Sequence, residues 1–185
     1  TASHKLHVVG HANVSGTVIM STPFSHRNVL INGGMDVWQR GTSQTVSGYG
    51  SADRWYGICS GTTTISQVVD GPTNVPVIYS AKWTTGASSS YGQFAQAIER
   101  GDVYVLRGKT VTMSCYVKTA GSYSGSVILR CMYSNSSDAL ATVLAGTGVS
   151  DAIITGSSAT SWTRITNTFT VPADAVGLVF YLIPD

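Results

Sequence analysis

Aromatic side chains in glycine- and serine-rich segments are the residues of this chain best suited to chemistry with a ligand. The C–H face of a pyranose ring stacks on an aromatic ring, while hydroxyl, amide or carboxylate groups bind the sugar hydroxyls. Among nine Tyr and four Trp, those expected in loops or at strand ends are Tyr49, Trp83, Tyr91, Tyr123 and Tyr133. Asn135 and Asp138 follow Tyr133 and could supply polar partners. Because loops carry binding residues, these seven predict a carbohydrate-binding surface, although single exposed aromatics are also common.

Catalytic chemistry has little support in the sequence. No Gly-x-Ser-x-Gly elbow, glycine-rich phosphate loop or His-Glu-x-x-His motif occurs. A glycosidase needs two facing carboxylates, and the sequence shows no pairing among Asp36, Asp53, Glu99 and Asp102. We therefore expect that the protein is not an enzyme and has no catalytic residue.

Metal binding is likewise not expected. His4, His7 and His11 could place one imidazole per chain on the axis of a trimer, but they match no zinc motif and are interpreted as polar stalk residues. A calcium ion clamping loops stays open, because Asp and backbone oxygens would suffice. No dense acidic loop supports it, so we predict no cofactor.

Length, charge and cysteine content limit the class of protein. The 185 residues suffice for one domain, only 11% are charged, and the net charge is +2 without a block of Lys and Arg. Nucleic acid is therefore not an expected partner, and no apolar run is long enough for membrane insertion. Three widely spaced cysteines without a secretory signal indicate free thiols in a protein made in a reducing cytoplasm.

Strands must position these side chains, because helical periodicity is almost absent. Residues 111–118 and 165–171 alternate apolar and polar positions, and residues 127–133 and 176–183 are apolar on both faces, as in central strands. Residues 94–99 fit a short helix or a strand with Phe94, Gln96 and Ile98 on one face. Many short strands separated by Gly and Ser turns predict an all-β fold, a jelly-roll-like β-sandwich.

The first 22 residues differ from the remainder. They contain two short strand patterns with too few apolar residues to bury a face alone. Such strands order by packing on copies of themselves, so residues 1–22 are predicted to form a β stalk for oligomerisation or anchoring. Pro23 marks the boundary with a sandwich domain at residues 23–185.

One segment resembles a known family. It reads Asn28-Val-Leu-Ile-Asn-Gly-Gly-Met-Asp-Val-Trp-Gln-Arg-Gly-Thr-Ser43, followed by Ser51-Ala-Asp-Arg-Trp55. This is similar to the N-x-L-I-N-G…W-Q-R-G-T-S…A-D-R-W pattern of bacteriophage tail-fibre and minor virion proteins. Residues 96–99, 106–118 and 162–172 resemble later stretches of that family, with Cys115-Tyr116 where it often has Phe-Trp. The resemblance implies a sandwich similar to carbohydrate-binding modules on a trimeric stalk, and residues 6–16 resemble the short repeats before distal domains of trimeric fibres.

The physical interpretation of this motif is structural. Trp38 and Trp55 are large enough to anchor a sandwich core, and Arg40 or Arg54 can form a two-pronged hydrogen bond to Asp53. Glycines at 33, 34 and 41 permit positive φ or close backbone approach. The alternative, that Trp38 or Trp55 stacks on a ligand, stays open.

The sequence thus predicts a phage virion protein, a fibre or spike, made in the host cytoplasm and located in the virion. Its expected partners are itself as a homotrimer, other virion proteins and a host-surface glycan. Thr1 is a residue after which initiator Met is normally removed, so the chain can be read as complete. The alternative is a capsid decoration, head-fibre or tail-assembly protein without a ligand, and a polysaccharide depolymerase is a third option.

Overall fold

The structure is a computed structural model that describes residues 28–86 and 91–185. The predicted stalk at residues 1–22, its boundary at Pro23 and the three histidines His4, His7 and His11 lie outside the described residues.

Short strands dominate the described residues, joined by turns and two short helices. The ten strands are β1 (Ser43–Gln44), β2 (Tyr56–Cys59), β3 (Thr64–Val68), β4 (Ser80–Thr84), β5 (Gly92–Ile98), β6 (Thr110–Val117), β7 (Ser126–Ser134), β8 (Thr147–Thr155), β9 (Thr163–Thr170) and β10 (Gly177–Pro184). The helices are α1 (Arg100–Leu106) and α2 (Leu140–Leu144), and a 3₁₀ turn covers Gly156–Ser158.

The strands form antiparallel sheets around one core. The largest sheet has the order β2-β5-β10-β7-β8, and two smaller sheets pair β1-β3-β4 and β6-β9. β10 and β7 are interior strands, as their apolar character on both faces predicts. The prediction of an all-β, jelly-roll-like sandwich is confirmed.

The inner face of the five-stranded sheet carries the core. Phe94 and Gln96 point inward from β5 and are buried, which settles residues 94–98 as a strand. Trp55 is 3% exposed; it stacks on Phe94 with centroids 5.2 Å apart and meets Phe180 edge-on at 5.5 Å. Across the core lie side chains of the two smaller sheets, namely Ile65, Trp83, Met113, Cys115, Val117 and Ile165.

Helix α2 covers one half of the sheet's outer face. Val143 of α2 packs with Ala95 and Val179, and all three are fully buried. The sequence predicted neither α1 nor α2. Each helix has one buried side chain, Val103 in α1 and Val143 in α2. The helical periodicity of apolar residues is therefore too weak to detect. The other half of the outer face, which we call the open half, carries partly exposed side chains such as Gln93, Arg130 and Tyr181.

Candidate functional site

Asn32 connects the two segments of the sequence motif, residues 28–43 and residues 51–55. Its backbone lies in the left-handed region at φ 54°. The side-chain amide donates to the carbonyls of Val37 and Asp53, while its oxygen accepts the N–H groups of Asp36 and Val37. The indole N–H of Trp55 donates to the Asn32 carbonyl at 3.0 Å. One asparagine therefore fixes the chain between both tryptophans of the motif.

The two tryptophans contribute to the core in this arrangement. Trp55 sits between Phe94 and Phe180, as described above. Trp38 is half-buried against the same cluster, and its indole N–H donates to the carbonyl of Met35 at 2.6 Å. The rings face the protein interior, where they secure the segment that bears the two arginines.

The arginines of the motif do not pair with Asp53, contrary to the prediction. Arg54 binds Glu99 at the end of β5, with an N···O distance of 2.6 Å, and Asp53 accepts the backbone N–H of Gln39. Arg54 has φ 72°, a conformation uncommon for a residue with a Cβ. This backbone conformation directs the Arg54 side chain across the sheet edge toward Glu99, the lone glutamate of the chain.

Both arginines line an open depression that we call the motif pocket. Its volume is about 360 Å³, and its lining comprises Arg40, Tyr49, Arg54, Ala97, Glu99, Asp138 and Leu140. These residues come from the motif, the loop after β1, the end of β5 and the start of α2. Folding thus gathers two predicted contact residues, Tyr49 and Asp138, with both motif arginines.

Tyr49 supplies the aromatic wall of the motif pocket. It is 41% exposed, and its ring meets that of Tyr56 edge-on with centroids 5.2 Å apart. Tyr56 pairs with Ala95 in register, so it belongs to the outer face of the five-stranded sheet. The Tyr49 ring therefore connects the pocket to the outer face of the sheet beside Ala95.

Asp138 is fixed at the opposite side of the pocket. One carboxylate oxygen accepts the backbone N–H of Arg100 at 3.0 Å. The loop lies close on β10 because residue 177 is glycine: a Cβ there would lie 2.6 Å from the Asp138 Cα. The second carboxylate oxygen makes no hydrogen bond to the described residues and can accept one from a ligand.

The open half of the outer face carries Tyr91, Gln93 and Tyr181. Tyr91 is 48% exposed, and the Tyr181 hydroxyl donates to the Gln93 side-chain oxygen. Partial burial raises the pKa of Tyr181, and neighbouring Tyr91 raises it further. These residues form an aromatic and polar surface near the start of β5, whereas Ala97 and Glu99 of the motif pocket lie at its end.

An ion pair borders this surface on β7 and β8. Arg130 and Asp151 face each other in register and form two hydrogen bonds of 2.8 and 2.7 Å. A second shallow depression of about 380 Å³ lies beside them, lined also by Met132, Gly148, Val149 and Ser150. The hydrogen bonds to Asp151 raise the pKa of Arg130 above its usual value.

Two predicted contact residues, Trp83 and Tyr133, pack inward. Trp83 lies within β4, and its ring meets Phe94 edge-on with centroids 5.6 Å apart. Tyr133 lies in β7 and packs against the core cluster that contains Leu178. The expectation that these rings project into solvent is corrected, because strand alternation turns both toward the core.

Tyr123 and Asn135 also lie away from the motif pocket. The Tyr123 hydroxyl donates to the carbonyls of Ser126 and Asp185, so the ring is half-buried despite its Gly/Ser neighbours. Asn135 is exposed in the loop after β7, and its amide lies 3.5 Å from the Asp174 carboxylate. Neither residue faces Tyr49.

Sequence reasoning missed three outer-face residues: Tyr56, Tyr181 and Glu99. Tyr181 lies in a run that is apolar on both faces, so no alternation marks it as exposed. Tyr56 directly follows Trp55. Because successive strand residues face opposite sides of a sheet, the expected burial of Trp55 could have predicted that Tyr56 faces the outer side. Glu99 was named only as one of several unpaired carboxylates.

Residues 28–86 and 91–185 contain neither a cluster of metal-binding side chains nor a membrane-spanning helix. Within these ranges, no group of three or more His, Cys, Asp or Glu side chains could hold a metal ion. No helix there is both long enough and apolar enough to cross a bilayer.

Comparison with known proteins gives structural neighbours only. No family model and no curated protein matches the sequence. The enzymatically active domain of tailspike protein 4 from bacteriophage CBA120 has a TM-score of 0.58 over 85% of this chain at 11% identity, and this chain spans 19% of the tailspike chain. The C-terminal family 22 carbohydrate-binding module of Clostridium thermocellum Xyn10B has a TM-score of 0.46 over 75% of this chain and 82% of its own, at 16% identity. The tailspike likeness shows a shared fold.

Proposed function

We propose that this chain is a fibre or spike protein of a bacteriophage virion and that its β-sandwich binds carbohydrate on the host surface. The observation that carries the proposal is the convergence of Tyr49 and Asp138 with Arg40 and Arg54 around the motif pocket. A phage tailspike domain shares the fold, and the motif resembles that of phage fibre proteins.

The lining of the motif pocket matches the needs of a sugar. Tyr49 offers a ring on which the C–H face of a pyranose can stack. Asp138 offers a hydrogen-bond acceptor for a sugar hydroxyl, and Arg40 offers charged donors for an acceptor group elsewhere on the ring. Shallow sites of this kind bind weakly one at a time.

Assembly compensates for weak single sites. We propose a homotrimer held by residues 1–22 and attached to other virion proteins, with three pockets facing the host. Simultaneous engagement raises avidity by about 10²- to 10⁴-fold without any new contact. Synthesis in the host cytoplasm and location in the virion complete this proposal.

Binding without turnover is the expected activity. Glu99 is paired with Arg54, and Asp138 accepts the Arg100 N–H, and we propose that both carboxylates hold the pocket and its ligand rather than carry out chemistry. Incubation of the full chain with a bound polysaccharide should release no new reducing ends. Their appearance would establish a depolymerase instead.

A glycan array probed with the full chain, together with binding to host cells, tests the proposal. Tyr49→Ala should weaken binding about fivefold, since a ring stack is worth roughly 1 kcal/mol. The control is Tyr104→Ala, which removes a tyrosine that is 68% exposed on α1, outside the pocket. An intact oligomer that binds neither glycans nor host cells would favour a ligand-free capsid or tail-assembly role.

A further inference from the structure

We infer that the motif pocket selects an acidic sugar, one that bears a carboxylate, and that Arg40 is the residue that recognises it. This inference rests on the proposed function and names its ligand class. It follows from the contacts that the four charged side chains of the pocket already make. These are Arg40, Arg54, Glu99 and Asp138.

Arg54 and Glu99 neutralise each other. Their 2.6 Å contact is made at the pocket rim, where the side chains are 48% and 70% exposed. An arginine engaged by a carboxylate has less to gain from a second anion. The pair therefore shapes the pocket rather than providing a free charge.

Asp138 acts as an acceptor within the pocket. With one oxygen held by the backbone N–H of Arg100, its position is defined before a ligand arrives. A carboxylate placed beside it would be repelled, whereas a sugar hydroxyl would be bound. Asp138 thus favours the hydroxyl-bearing side of an acidic sugar and determines its orientation.

Arg40 is the cation of the pocket that lacks a carboxylate partner among the described residues. Its side chain is exposed, and one guanidinium nitrogen donates to the Tyr49 carbonyl at 3.3 Å. That contact holds the guanidinium close to Tyr49 while leaving its other N–H donors available. The planar fork of arginine matches a carboxylate with two parallel hydrogen bonds, which are charge-assisted and stronger than neutral ones.

A stacked uronic acid satisfies all three groups in one orientation. The ring would lie on Tyr49, its carboxylate would bind Arg40, and a hydroxyl would donate to Asp138. A neutral hexose would use the ring and the hydroxyl contact but leave Arg40 without its anion. Specificity for the acidic sugar therefore arises from this single side chain.

The experiment uses the full chain on an array that contains neutral and carboxylated bacterial-surface glycans. The strongest carboxylated binder is then compared with its carboxyl-reduced form by titration calorimetry. Reduction should weaken binding by wild type about tenfold or more. Arg40→Gln should lose the same factor for the acidic glycan and change binding of the reduced form less than twofold.

Arg164→Gln is the charge-matched control, because Arg164 is exposed on β9 and donates to Ser114, away from the pocket. It should bind both glycan forms as wild type does. Preference for neutral glycans, or equal affinity of Arg40→Gln and wild type for the acidic form, would overturn the inference while leaving the proposed function intact. Failure of wild type to bind any glycan or host cell would defeat the proposed function itself.

Discussion

The two faces of the five-stranded sheet use aromatic residues in opposite ways. On the inner face, Trp55 lies between Phe94 and Phe180, and the three rings pack against one another. On the outer face, Tyr56 and Tyr181 are half-buried, with polar groups such as the Gln93 amide beside them. One face is closed around its aromatics, whereas the other leaves ring edges and hydroxyls accessible.

This difference separates stability from recognition within a single sheet. Burial of apolar rings dominates the inner face, while α2 covers only part of the outer face and leaves the motif pocket at its border. Substitutions on the inner face should therefore reduce the free energy of unfolding, and those around the pocket should reduce binding first. The following predictions test that separation.

The largest expected effect is that of Trp55→Ala on the inner face. Loss of a fully packed indole should lower the free energy of unfolding by about 3–5 kcal/mol. Tyr49→Ala, which removes an exposed ring, should cost less than about 1.5 kcal/mol. Urea unfolding followed by circular dichroism measures both, and comparable losses would contradict the assignment of the two faces.

The next largest effect is expected from Gly177→Ala, because the added methyl group would push the loop before α2 away from the outer face. The added Cβ would lie 2.6 Å from the Asp138 Cα and 2.7 Å from the Ser137 carbonyl, so we expect a loss of about 1–3 kcal/mol. Gly148→Ala is the matched control on β8, where no atom lies within 4 Å of the new methyl. It should change stability by less than about 0.5 kcal/mol.

The strands could be predicted from the sequence because a strand with one buried and one exposed face alternates apolar and polar residues. Residues 111–118 show this well: Val111, Met113 and Cys115 pack toward the core, as their spacing indicates. The helices could not be predicted, since α1 and α2 are short and each buries one residue. Their formation depends on the sheet surface beneath them rather than on their own pattern.

The site was only partly predictable for a related reason. Tyr49 was chosen because it lies in a loop and Asp138 because it could supply a polar partner after Tyr133, and both line the motif pocket. The same reasoning also selected Trp83, which packs on Phe94, since local Gly and Ser residues do not reveal which way a ring points. The pairing of Arg54 with Glu99 joins residues 45 positions apart, and no local pattern encodes such a contact.

A smaller effect is expected from Asp151→Asn, which breaks the cross-strand pair on the open half of the outer face. With side chains 35% and 33% exposed, the pair should contribute about 0.5–1 kcal/mol at low ionic strength and less in about 1 M salt. Asp36→Asn is the control, because the Asp36 carboxylate has no hydrogen-bond or ion-pair partner among the described residues. A loss for Asp151→Asn that is unaffected by salt would show that the contact is not mainly electrostatic.

The smallest effect concerns the phenol of Tyr181 at alkaline pH. Burial raises its folded-state pKa above the unfolded value of about 10, so the native state keeps its proton when the unfolded chain loses it. Stability from this group is fully present below pH 10 and decreases as pH rises further. Tyr181→Phe should be less stable than wild type at pH 8, since the hydrogen bond to Gln93 is lost, and the difference should narrow by pH 10.5. Urea midpoints at both pH values measure this, with Tyr104→Phe on exposed α1 as control, and a constant difference would mean that the outer face leaves Tyr181 effectively in water.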